Sequence, residues 1–143
     1  GLGDVFVQER GGLAYDVGDG RNSHDRTDSL QYVSHGGIAT ESVLSDEGAV
    51  ERIRAAAGDV FDRFDPERPL DHLFADARAF ADATGLVTDS VRATLDRVAD
   101  AGGEATMAMV GETVIAVGAE ETLPNATRIS PDGARLLDYP DER

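Results

Sequence analysis

The chain has 143 residues and a formal net charge of -15, carries no Cys and no Lys, and draws all 13 of its Lys-or-Arg positions from Arg. The absence of Cys excludes disulfides, Cys-based zinc sites and thiol nucleophiles, and the absence of Lys excludes a Walker A phosphate loop. An acidic balance of this size repels nucleic-acid backbones and anionic membrane surfaces, and no apolar run approaches the ~18 residues of a membrane-spanning helix.

The chain opens GLGDVFVQERGG. Asp4 to Arg10 reads as a short helix with Asp4 as its N-cap and Gly11–Gly12 as its stop. GGLAYDV reads as a short strand, and the polar, glycine-punctuated stretch Gly18 to Ser29 as a loop. Leu30 to Ser34 is the next strand, broken by His35-Gly36-Gly37. Ser45 or Asp46 then caps a helix whose Val50, Ile53, Ala57, Val60, Phe61 and Phe64 recur at helical spacing, and Asp65-Pro66 ends it. A second helix covers Leu70 to Thr84, with Leu70, Leu73, Phe74, Ala77, Phe80 and Ala81 on its apolar side and Gly85 at the C-terminal stop. Thr88 or Asp89 caps a third, carrying Val91, Leu95 and Val98 and ending at Gly102–Gly103. The period then changes: EATMAMVGETVIAVG reads as two strands hinged at Gly111–Glu112. Thr127 to Ile129 and Ala134 to Leu137 are candidate edge strands, and the tail DYPDER is expected to fray. The plan is α+β, an antiparallel sheet with helices on one face.

With 41% hydrophobic residues at regular spacing, the chain is expected to fold rather than form an acidic tail. Dispersed Asp and Glu without Lys resemble the surfaces of proteins from halophilic archaea. At about 1 M salt the screening length falls to roughly 3 Å, which suppresses self-repulsion. The fold is therefore expected to loosen in dilute buffer. The start of the chain has no secretory pattern, and the expected compartment is the cytoplasm.

Two glycine-rich stretches could carry chemistry. In GLGDV, Gly1 and Gly3 would let backbone approach a ligand while Asp4 accepts a proton or orients a hydroxyl; the plainer account is a turn and a helix cap. In GGEATMAMVG, Gly102 and Gly103 at a helix-to-strand turn could present N–H groups to a phosphate; the plainer account is a helix stop and a packed strand. Met107 and Met109 fit a core better than a ligand pair. Of the His residues, His24 sits in a polar loop, His72 early in a helix, and His35, before two glycines, is best placed to line a cleft. H-E-x-x-H is absent and DVGDGRNSHD lacks the EF-hand order, so no metal site is expected. GLGDVF lacks the third glycine of a dinucleotide loop.

Four stretches, in order, carry a resemblance: GLGDVFVQERGG, GGIATESVLSD, the helical run around FADARAFADATGLVTDSV, and GGEATMAMVGETVIAVG. Together they resemble the C-terminal portion of archaeal pantoate kinases of the GHMP kinase superfamily. The link AYDVGDGRNSHDR departs from the basic, proline-containing one expected there. The resemblance implies that residues 1–27 end the kinase N-terminal domain and that residues 28–143 form its ferredoxin-like C-terminal domain. It implies ATP and Mg²⁺ as cofactors, held mostly by the part of the kinase that precedes Gly1, and pantoate as the acceptor. Partners are then that N-terminal half and the small-molecule substrate, without nucleic acid or membrane; a homodimer is left open. By the same resemblance Asp4 is catalytic, holding the 4-hydroxyl of pantoate, while Gly1, Gly3, Gly102, Gly103, Ala105 and Thr106 face substrate or phosphate. The chain alone is expected to be inactive. The alternative function is a non-enzymatic ferredoxin-like module that binds a ligand or partner chain, and a fragment of a degraded gene is a third reading.

Overall fold

The computed structural model describes residues 2–37, 43, 45–108 and 111–135. The elements in chain order are helix α1 (Leu2–Arg10), strands β1 (Leu13–Tyr15), β2 (Asn22–His24) and β3 (Ser29–Ser34), helices α2 (Glu47–Arg63), α3 (Leu70–Thr84) and α4 (Asp89–Asp100), and strands β4 (Glu104–Met107), β5 (Thr113–Val117) and β6 (Asn125–Arg128). They fall into two compact units: Gly1–Thr27 with Ile129–Arg143, and Asp28–Arg128.

The second unit is an α+β arrangement. Its four strands pair antiparallel throughout in the order β4-β5-β3-β6. The crossover from β3 to β4 carries α2, α3 and α4, and β5 lies between those two strands. This order and sense are compatible with the split-βαβ plan of a ferredoxin-like sheet. The second crossover, from β5 over β3 to β6, is instead the loop 118–124, which has no helix. The Gln31 side chain on β3 fastens that loop. Its Nε2 donates to the Ala119 carbonyl and its Oε1 accepts from the Leu123 N–H at 3.0 Å. Ala119 and Leu123 are thereby held in the core.

Local chemistry sets the helix ends. Asp46 caps α2 by accepting from the N–H groups of Gly48 and Ala49 at 2.9 and 3.2 Å. Gly85 takes φ 71° at the end of α3, a backbone geometry that glycine adopts without strain. Thr88 caps α4 through Val91 N–H. The end of α4 is a Schellman turn: Gly102 at φ 83° donates to Ala99 O, and Gly103 donates to Val98 O.

Burial follows the sequence period in α4, whereas Phe61, expected on the apolar side of α2, is 52% exposed. Val91, Leu95 and Val98 are fully buried and pack with Ala81 of α3 against Ala105 and Met107 of β4 and Val114 and Ala116 of β5. Those strand residues pair as Ala105 with Ala116 and Met107 with Val114, so they share one face of the sheet. Met107 is a core residue; Met109 lies outside the described residues. Helix α2 packs on α3, where Arg52 Nε donates to the Thr84 carbonyl at 2.9 Å. Ion pairs Arg68–Asp76, Arg78–Asp96 and Arg92–Asp82, all partly solvated, join successive parts of this helical layer. Exposed pairs of this kind each contribute ~0–1 kcal/mol, so the apolar core dominates the stability.

In the first unit, β1 and β2 form a two-stranded antiparallel ladder, Leu13 opposite His24 through Tyr15 opposite Asn22. Segment 129–134 closes on the end of α1. Gly12 N–H donates to Ser130 O at 2.7 Å and Ala134 N–H to Gln8 O at 2.6 Å. Gly133 has to be glycine there, because a Cβ would stand 1.8 Å from the Glu9 carbonyl oxygen.

Several sequence expectations shift. Helix α1 begins at Leu2, so Asp4 lies in its first turn rather than at its cap. The stretch expected as a loop, Gly18 to Ser29, contains β2. In EATMAMVGETVIAVG the ladder runs one residue past β4, with Ala108 N–H bonded to Thr113 O, so the link between the strands is longer than the expected two-residue hinge; Met109 and Val110 lie outside the described residues. The first expected edge strand begins two residues earlier and ends one earlier, at Asn125–Arg128. Ala134 and Arg135 are not in a strand, and the remainder of the second expected edge strand, with the tail, lies outside the described residues.

Candidate functional site

Of the residues singled out by sequence, Gly1 lies outside the described residues, and Gly3 and Asp4 sit in the first turn of α1. Gly102, Gly103, Ala105 and Thr106 lie in the other unit, along the exit from α4 into β4. Gly102 is exposed and Gly103 buried. A Cβ on Gly103 would meet the Ala119 Cβ at 2.6 Å and the Val117 carbonyl oxygen at 2.7 Å. The close approach its missing side chain permits is thus to the β5 end of the same unit. Ala105 is 1% exposed and Thr106 4%. Thr106 Oγ1 is buried without a hydrogen-bond partner. Both N–H groups of the glycine pair are committed to α4 carbonyls.

A second polar constellation gathers where β3 ends, at the turn before β5 and along α4. His35 N–H donates to the Glu112 carbonyl at 2.9 Å, which brings the two residues side by side. The Glu112 carboxylate accepts from Thr88 Oγ1 at 2.9 Å, tying the turn to the start of α4. Its other oxygen lies over Gly36, where a Cβ would stand 2.8 Å away. The His35 ring reaches Thr94, with Nε2 to Oγ1 at 2.8 Å. Thr94 Oγ1 donates its one hydrogen to Ser90 O at 3.0 Å, so His35 Nε2 is the donor of the pair. Nδ1 is then the acceptor nitrogen of the ring, on an exposed residue. Beside it Thr113 Oγ1 and Ser34 Oγ are bonded at 3.0 Å. The sequence marked His35, before two glycines, as the His best placed to line a cleft, and the structure leaves it exposed. The contact to Thr94, 59 positions away, left no signal.

The first unit holds a cleft of about 440 Å³ lined by Val7, Gln8, Gly11, Gly12, Ile129 and Ser130, with Asp132, Gly133 and Ala134. Among the described residues no group of three or more His, Asp or Glu side chains could hold a metal ion. Nor is any helix there long and apolar enough to cross a membrane. No family model matches the chain, and no curated protein or solved structure matches it either.

Proposed function

We propose that this chain is the C-terminal part of an ATP-dependent kinase that phosphorylates pantoate at its 4-hydroxyl on the route to coenzyme A. The supporting observation is the order of the parts. A glycine-preceded Asp on a short helix is followed by an antiparallel β4-β5-β3-β6 sheet with α2, α3 and α4 between β3 and β4, the plan a ferredoxin-like kinase C-terminal domain would have. On this reading Asp4 orients the pantoate hydroxyl and takes its proton as the oxygen attacks the γ-phosphorus and ADP leaves. Phosphoryl transfer is chiefly positioning and charge stabilisation, so orientation is the larger part of that role. The groups that grip ATP phosphates and Mg²⁺ belong to the preceding part of the kinase.

The test is Asp4→Asn in the polypeptide encoded by the full reading frame, assayed with pantoate and other small hydroxy acids at molar salt. Asn retains the size of Asp and much of its ability to bond nearby N–H groups. Turnover should fall by roughly 10²–10⁴-fold while the melting temperature holds. Unchanged turnover removes Asp4 from the chemistry. An inactive parent enzyme, with every hydroxy acid tried, removes the kinase.

A further inference from the structure

The residues from Gly102 to Thr106 do not fit a phosphate. A backbone phosphate cradle needs N–H groups that point outward and are unclaimed. Here Gly102 N–H is bonded to Ala99 O at 2.9 Å and Gly103 N–H to Val98 O at 3.0 Å. Releasing them unwinds the last turn of α4, whose Val98 is fully buried. The space in front of Gly103 is filled by Ala119 and Val117 backbone and side-chain atoms. Glu104 adds a carboxylate beside the turn, the wrong sign for an anion. Ala105 faces the core opposite Ala116, and Thr106 Oγ1 is buried without a hydrogen-bond partner.

We infer that Gly102–Thr106 is the anchor joining α4 to the sheet and contacts no phosphate, so that any phosphate contact made by this chain lies elsewhere. The two glycines then have separate structural duties. Gly102 supplies the left-handed residue of the Schellman turn, and Gly103 supplies the notch into which Ala119 fits. This assignment does not depend on the kinase reading, since it concerns how the stretch is held in the absence of any ligand.

The experiment is amide hydrogen exchange and shift mapping of the full chain at molar salt, first in phosphate-free buffer, then with inorganic phosphate, then with ATP and Mg²⁺. The Gly102 and Gly103 amides should be protected before any ligand is added and should not shift with either one. Gly103→Ala should lower the melting temperature by roughly 4 °C or more, because the clash is with backbone as well as side chain. A saturable shift of either glycine amide would overturn the assignment. So would rapid exchange of both amides in phosphate-free buffer, or a Gly103→Ala chain that melts like its parent. Failure of the kinase reading is seen separately, as absent turnover with these amides still protected.

Discussion

The two units differ most in what they bury. In Asp28–Arg128, ten residues from two helices, two strands and the β5–β6 loop form one closed cluster, with Val91, Leu95, Val98 and Val114 fully inaccessible. In the other unit, none of residues 5–27 or 129–135 is fully buried. Its helix leaves Val5 59% and Val7 50% exposed, and its ladder is two three-residue strands. An isolated two-stranded ladder is marginal at best in water. The difference teaches where stability resides: the later unit carries its own core, while the earlier one is held by backbone bonds such as Gly12 N–H to Ser130 O. On the proposed function, the chemistry of Asp4 sits on the weakly buried unit.

The sharpest way to break this comparison is a pair of truncations. Leu95→Ala empties a fully buried position and should destabilise the chain by about 2–5 kcal/mol in thermal or denaturant melts. Val7→Ala, at a half-exposed position, should stay within about 0.5 kcal/mol. Equal losses from the two would show that α1 is packed as tightly as α4.

A smaller effect of opposite sign is expected at Thr106. Its hydroxyl is buried without a partner, so Thr106→Val keeps the shape and β-branching while removing an unsatisfied group. The melt should move up, by on the order of 1 kcal/mol. A loss of stability would mean that the hydroxyl is satisfied in solution.

How much of this was legible in the sequence depended on the range of the forces involved. Asp46, Gly85 and Thr88 act within four residues of themselves, so the ends of α2, α3 and α4 could be read directly. The apolar spacing of Val91, Leu95 and Val98 likewise identified the buried side of α4. Strand β2, Asn-Ser-His, has no apolar alternation, and its pairing with Leu13–Tyr15 is what makes it a strand. The hinge at Gly111–Glu112 falls in the link between β4 and β5, but the length of that link was not legible, because register is set by Ala108 meeting Thr113, a contact across the ladder. At the candidate site the limit was the same. A Gly-Gly pair reads alike as a phosphate loop or a helix stop, and the residue that decides between them, Ala119, lies 16 positions beyond Gly103. The contact between His35 and Thr94 is equally non-local.

The measurement that bears most directly on the contrast between the units is residue-resolved amide exchange at molar salt. Amides of β3, β4, β5 and α4 should exchange only through opening of the whole core, whereas those of α1, β1 and β2 should exchange through small local openings and far faster. That result would place the stability of the chain in Asp28–Arg128. Equal protection from Leu2 through Arg128 would contradict it, and would mean that the first unit belongs to the same cooperative core.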